Sequence, residues 1–178
     1  KKLIEKDTPN KWIDFWLIAD QNKMYLFYTE GHKGVMVRST SIEDFPNKWG
    51  ESKKIFDNIH EAVHIYKVKD QIEFHMIYEL NNDGIRSFGM AQSNHLNGPW
   101  KKITDDYATG FQLKFGQKKK WTEMVSHGEV LRSGYNQNME YEPEQCRWLI
   151  QGMVEKELHG KYEMLPWKLG LIELSKTN

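Results

Sequence analysis

Trp12-Ile13-Asp14-Phe15-Trp16-Leu17-Ile18 opens a weak internal repeat of about 47–50 residues. His60-Glu61-Ala62-Val63-His64-Ile65-Tyr66 opens the next unit, and Glu61 lies 47 positions after Asp14. Each opening precedes two apolar-aromatic strand candidates, Met24 to Tyr28 and Val35 to Ser39 in one unit, Ile72 to Tyr78 and Ile85 to Met90 in the other. The outer ends agree as well: Trp49 with Lys53-Lys54-Ile55 recurs as Trp100-Lys101-Lys102-Ile103. Short strands repeating at this period predict an all-β fold of propeller blades. Equivalent positions on the first strands of such blades converge on one axis, so Asp14 and Glu61 are expected to meet there.

The repeat divides the chain into units at 10–58, 59–108 and 124–175 of a single domain spanning 1–178. Polar turns separate the strands at Asp20-Gln21-Asn22-Lys23, Glu30 to Gly34, Lys69-Asp70-Gln71 and Asn81-Asn82-Asp83-Gly84, where the Asp-Gly pair favours positive φ. A third unit begins at Ser126-His127-Gly128-Glu129 and continues through Met139-Glu140-Tyr141, Arg147 to Met153 and Trp167 to Leu174. Its insertion, Val154 to Met164, carries one short helical segment, while residues 104–124 are loop-like. Lys118-Lys119-Lys120 is a solvated turn without aromatic side chains arranged to stack bases. A propeller ring takes at least about four blades. Three units therefore predict either further blades in the natural protein or copies of this chain pairing as a homodimer or higher oligomer.

A length of 178 residues suits one domain with a sizeable core. Basic and acidic residues number 25 each, so no global field draws nucleic acid or an acidic membrane. No apolar run is long enough for a membrane span. Seven Trp, eight Tyr and eight Phe exceed what a core alone requires and suit a face that stacks on a ligand such as a sugar. Cys146 is the only cysteine, which excludes an intrachain disulfide. Lys1 to Asp7 lack a signal peptide's apolar core and read as the interior of a longer chain.

Asp14 sits among Ile13, Phe15, Trp16 and Leu17, where an acidic group is costly unless paired or functional. Strand alternation puts Asp14, Trp16 and Ile18 on one face and Ile13, Phe15 and Leu17 on the other. The plainer reading, a strand-end Asp accepting turn hydrogen bonds, is weakened by Glu61 in the next unit. Two neighbouring carboxylates divide labour when one stays protonated as a general acid, and an inverting glycosidase needs a second about 6.5–9.5 Å away to activate water. His127 points to the same axis, as a metal ligand, a ligand contact or a structural group. His32 and His60 fall in turns and read as ordinary. No zinc-site spacing occurs, so oxygen-coordinated calcium is the metal to expect. No phosphate-binding glycine loop or Gly-x-Ser-x-Gly elbow occurs either.

The chain resembles glycoside hydrolase family 62, the α-L-arabinofuranosidases that remove arabinoxylan side chains, and more distantly family 43. The resemblance is carried by Trp12 to Ile18, Val37-Arg38-Ser39-Thr40 with Phe45-Pro46-Asn47, Glu61-Ala62 before Ile65-Tyr66-Lys67-Val68, and Gly98-Pro99-Trp100. It continues through Ser126-His127-Gly128-Glu129, Arg132-Ser133-Gly134, Gln151-Gly152-Met153 and Leu165 to Leu171. It implies a five-bladed propeller, an inverting mechanism and a secreted or periplasmic setting, with this chain forming the C-terminal three blades. By position, Glu61 matches the general acid, Asp14 the carboxylate that tunes the acid and orients substrate, and His127 the histidine near a calcium ion in the central channel. Tyr162 matches an aromatic near the sugar pocket, and Trp16, His64 and Arg86 complete the substrate-binding set. Two departures stand out: Gly89-Met90-Ala91 replaces an Arg-Ser-Trp-like run, and Asn136 stands where Asp is typical. The family's general base belongs to a blade preceding this chain, so the base is expected from that part, from a partner chain, or less readily from Glu129 or Asp20. The rival expectation is a noncatalytic carbohydrate-binding propeller that lacks the base.

Overall fold

The computed structural model describes residues 2–109 and 112–173. In chain order the strands are β1 (Trp12–Ala19), β2 (Lys23–Glu30), β3 (Gly34–Ser41), β4 (Lys53–Asp57), β5 (Glu61–Val68) and β6 (Phe74–Asn82). They continue with β7 (Ile85–Ser93), β8 (Lys101–Thr104), β9 (Met124–Val130), β10 (Glu140–Tyr141), β11 (Arg147–Met153) and β12 (Lys168–Glu173). These form three sheets, ordered β1-β2-β3-β4, β10-β5-β6-β7-β8 and β12-β11-β9. All pairs are antiparallel except β10 with β5, which is parallel.

Local chemistry accounts for the hairpins. Asp20 turns the chain between β1 and β2, its Oδ1 accepting the amides of Asn22 and Lys23 at 2.8 Å each and its Oδ2 the Tyr25 hydroxyl at 2.8 Å. Between β6 and β7, Asp83 (φ 54°) and Gly84 (φ 91°) both take the left-handed conformation that a two-residue hairpin demands. Asn81 and Asn82, expected in this turn, still belong to β6, whereas the strand expected from Ile72 starts only at Phe74.

The middle sheet is buried on both faces. Val63 and Ile65 of β5 join Phe27, Val35 and Val37 in one core, while Tyr66 and Val68 join Val125, Trp148 and Ile150 in a second. Trp16 packs against both cores. Phe15 and Leu17 on the first sheet, and Leu149, Leu169 and Leu171 on the third, remain exposed.

Three local expectations change. Glu140 and Tyr141, assigned to the third unit, instead extend the middle sheet, pairing with Lys67 and Val68. A two-residue parallel pairing has no periodicity of its own to announce its partner. The Val154–Met164 insertion holds two 3-10 turns, Glu155–Glu157 and Tyr162–Met164, rather than one helical segment. The last expected strand ends at Glu173, and Leu174 lies outside the described residues.

Bulges also correct the repeat. In β1 the register jumps from Ile13↔Thr29 to Trp16↔Phe27, and in β5 from Glu61↔Glu79 to His64↔Ile77. Each jump admits one extra residue. Glu61 therefore corresponds to Ile13, and Asp14 corresponds to Ala62. In β9 the register jumps similarly from Ser126↔Gln151 to Gly128↔Ile150, leaving His127 as the extra residue. Asp14 (φ 57°), Ala62 (φ 54°) and His127 (φ 31°) all occupy the left-handed region that non-glycine residues rarely visit.

Gly89 lies opposite Tyr78 in the β6–β7 register. An added methyl group would meet the Tyr78 ring, 2.5 Å from its Cζ. That ring is held by Asp105, which accepts the phenolic hydrogen at 3.1 Å, and by the Phe56 ring at 5.2 Å. Gly89→Ala is therefore expected to destabilise the fold by about 1–3 kcal/mol through overpacking. Urea unfolding with an unchanged denaturant slope and a lowered midpoint would bear this out; an unchanged midpoint would show that the ring has room to move.

Candidate active site

The bulges at the heads of the inner strands aim polar groups into one connected network. Asp14, left-handed in β1, turns its carboxylate across to the middle sheet, where Oδ2 accepts the Ala62 amide at 2.9 Å. Asp14 does accept a backbone hydrogen, as the plain reading supposed, but from the neighbouring sheet rather than its own turn. The bond places it beside the backbone of Glu61.

The Glu61 side chain is 17% exposed, and its Oε1 accepts Arg86 Nη1 at 2.5 Å. The same Nη1 also binds Glu79, whose carboxylate is fully buried. Glu79 Oε2 accepts the Ser126 hydroxyl at 2.8 Å and the His127 amide at 2.9 Å, reaching the bulge of β9. Burial alone would lower the Arg86 pKa, but the Glu79 and Glu61 carboxylates outweigh it and hold the guanidinium above its ordinary value. Arg86 also lies over the Tyr162 ring, 5.3 Å from its centroid.

A second group adjoins the first. Trp16 stacks on His64 at 4.4 Å and donates its indole hydrogen to the Ile65 carbonyl at 2.9 Å. His64 meets the exposed His127 ring edge-on at 6.1 Å. Burial, helped by repulsion from His127, pushes the His64 pKa down to about 4, despite an opposing hydrogen bond to Gly128. His64 is thus neutral around pH 7 and serves as an aromatic and hydrogen-bonding surface.

All seven residues singled out from sequence, Asp14, Trp16, Glu61, His64, Arg86, His127 and Tyr162, fall in this network. Asp20, a candidate source of base catalysis, is committed to its hairpin turn, where its three hydrogen bonds hold its pKa below the ordinary value against the opposing effect of burial, which is the largest single influence on it. Glu129 remains half exposed, its Oε1 3.8 Å from Arg132 Nε.

Sequence reasoning missed three members. Glu79 carried a visible signal, an acidic residue within the apolar run Phe74 to Leu80. His32 and His60, read as ordinary, stack at 4.6 Å with their planes 14° apart. With Glu61 they present three potential metal-ligating atoms within 4.8 Å of one another. His60 is lowered in pKa by burial, with Glu61 opposing and Arg86 and His32 adding to the effect.

Stacked antiparallel sheets, with acidic and aromatic groups gathered where their inner strands begin, define an all-β domain of the propeller-like superfamily of glycoside hydrolases. The sequence profile of glycosyl hydrolase family 62 matches residues 2–173, and the chain belongs to that family. It is 30% identical over 186 positions to alpha-L-arabinofuranosidase C of Cellvibrio japonicus, covering 99% of this chain and 30% of that protein. Among solved structures, the catalytic domain of a Coprinopsis cinerea family 62 α-L-arabinofuranosidase has a TM-score of 0.86 at 30% identity, covering 93% of this chain and 55% of that one. The Podospora anserina α-L-arabinofuranosidase, solved with cellotriose, gives 0.84 at 27% identity, over 93% and 54%. The chain thus spans little more than half the length of these solved relatives.

Two outcomes test this network. Glu79→Ala leaves Arg86, Ser126 and the His127 amide short of an acceptor and should cost about 3–5 kcal/mol in chemical denaturation; a cost below about 1 kcal/mol would remove Glu79 as the organising group. His64 has a folded pKa of about 4 against 6.5 unfolded, so the unfolded state binds the proton first as pH falls. Its contribution to stability is complete above the unfolded value and declines as pH drops from 6.5 towards 4. His64→Gln should flatten the stability profile in that window, and an unchanged slope would place the acid sensitivity elsewhere.

Proposed function

We propose that this chain carries the general-acid side of an inverting α-L-arabinofuranosidase that removes side chains from arabinoxylan. The observation that carries the reading is the placement of Glu61: a partly accessible carboxylate at the head of an inner strand, against Arg86 and next in sequence to the Ala62 amide that Asp14 accepts. In this reading Glu61 gives its proton to the glycosidic oxygen as the bond to the anomeric carbon breaks. Glu61 must first take up a proton from solvent, which requires the Glu61–Arg86 bond to open, and Glu79 is positioned to keep the guanidinium in place meanwhile. Asp14 orients sugar hydroxyls, Trp16 and Tyr162 offer ring faces to the sugar, and His64 and Arg86 line the same region. Water attacks the opposite face of the sugar, losing its proton to a carboxylate supplied outside this chain.

The fold in this proposal is a five-bladed propeller, of which the three sheets here are blades carried by the expected units 10–58, 59–108 and 124–175, with Glu140 and Tyr141 of the third unit lent to the second blade. The exposed Phe15 and Leu17 at one end, and Leu149, Leu169 and Leu171 at the other, are the faces that further sheets of the same domain would cover. A second copy of the chain would have to cover the same faces. Export to the cell exterior or periplasm belongs to the same reading. Calcium near His127 fits only as an ion holding one imidazole nitrogen with oxygens, including water, filling the remaining positions of its about six to eight. It would supply positive charge in the channel, and His127, whose amide is fixed by Glu79, would orient it.

The test is the natural protein at its full length. Glu61→Gln should lower arabinose release from arabinoxylan by about 10²–10⁴-fold, and release from an aryl arabinoside with a good leaving group by less. Equal losses on both would make Glu61 a binding group. Arabinoxylan binding without any release of arabinose by the wild type would instead establish the carbohydrate-binding alternative.

A further inference from the structure

His32 and His60 come from different sheets yet converge on Glu61. His32 lies in the turn after β2 with a left-handed backbone (φ 57°), and His60 immediately precedes β5, its amide donating to the Glu79 carbonyl at 2.9 Å. His32 Nδ1 is 3.0 Å from the His60 carbonyl and 3.5 Å from Glu61 Oε2, and His60 Nε2 is 3.7 Å from Glu61 Oε1. Arg86 occupies Oε1, so Oε2 is the carboxylate oxygen facing an incoming ligand.

We propose that His32, His60 and Glu61 bind a zinc-type divalent cation, and that the bound ion withdraws Glu61 from proton donation. Two ligands about 2.0–2.1 Å from a tetrahedral zinc ion lie about 3.3 Å from each other. The His32–Oε2 separation of 3.5 Å needs to close by only a few tenths of an ångström, and the three ligand atoms already lie within 4.8 Å of one another, so the remaining closure falls to rotation of the His60 ring. Two imidazoles and one carboxylate suit zinc, nickel or copper, whereas calcium and magnesium prefer oxygen ligands throughout. The parallel stacking of the rings holds them ready, limiting the ordering cost of binding. At His32 the metal takes the Nδ1 position, and the ring hydrogen moves to Nε2, so the neutral imidazole keeps one hydrogen. Three protein ligands leave a fourth position for water. The Arg86 charge on the same carboxylate opposes the cation and keeps binding reversible.

Binding itself is independent of the catalytic reading, but the inhibitory consequence rests on Glu61 being the general acid. Titration calorimetry with zinc chloride in metal-free buffer is expected to show one saturable site on the intact chain. His32→Ala and His60→Ala should each weaken it at least tenfold, while His95→Ala, on another loop, should leave it unchanged. His32 is nearly half exposed, so its variant should keep the fold, checked by circular dichroism, if His60→Ala does not. Cobalt substitution should give the visible absorption of a tetrahedral ion. Absence of saturable binding, or binding indifferent to both histidine variants, overturns the site. On the full-length protein, zinc should lower arabinose release and a chelator should restore it. Release unaffected by a zinc-saturated site overturns the inhibitory role. Zinc binding by a protein that never releases arabinose leaves the site standing and removes the hydrolase reading.

Discussion

The buried carboxylate of Glu79 is the constraint on which the rest of the site depends. A charge with no contact with water survives only when its oxygens are fully engaged. Here Arg86, the Ser126 hydroxyl and the His127 amide satisfy it, and they come from two sheets. Apolar packing between the sheets is non-directional and tolerates sliding. Hydrogen bonds to a charged acceptor do not, so Glu79 sets the offset at which the third sheet meets the second. Arg86, held by that requirement, in turn fixes Glu61. The position of the candidate acid is thus a consequence of satisfying another residue's charge.

The repeated left-handed bulge supplies the second half of the arrangement. A regular strand would alternate its side chains between the two cores and leave none free at the strand head. One extra residue in β1, β5 and β9 breaks that alternation locally, allowing Asp14 to reach the Ala62 amide and the His127 amide to reach Glu79. Non-glycine residues at positive φ cost energy, and such strain is commonly kept where geometry at a site demands it. Membership of family 62 fits this picture, since the network lies within the matched residues 2–173.

What was legible in the sequence follows the range of the forces involved. The hairpins were readable because alternation and turn residues such as Asp20 and Asp83-Gly84 act over a few residues. The candidate site residues were named largely through family resemblance, which groups Glu61 with Asp14 without explaining what would bring them together. Residue counting alone paired Asp14 with Glu61, whereas the strand registers pair it with Ala62. A bulge shifts the register by one and leaves no mark in composition. His32 and His60 looked ordinary because their relation is purely tertiary, joining turns of separate sheets. Glu79 was visible as an acidic residue in an apolar strand, but which groups it would satisfy depends on Ser126 and His127, 47 and 48 residues further on.

The parallel strand β10 has a consequence for the order in which the chain acquires its structure. Most pairings here join neighbours through short turns, for which loop closure is inexpensive. Glu140 instead meets Lys67 across 73 residues, sealed by their ion pair at 3.0 Å and by the Lys69 amide donating to the Tyr141 carbonyl at 3.0 Å. Closing so long a loop comes after the local hairpins exist to receive it. The buried Tyr141 ring, 5.5 Å from Tyr66, then works as a late latch, and until it closes one edge of the middle sheet is open to other chains. Nascent protein at high concentration is therefore most vulnerable to intermolecular strand pairing along β5, an exposure that pulsed hydrogen exchange at the Lys69 amide would time directly.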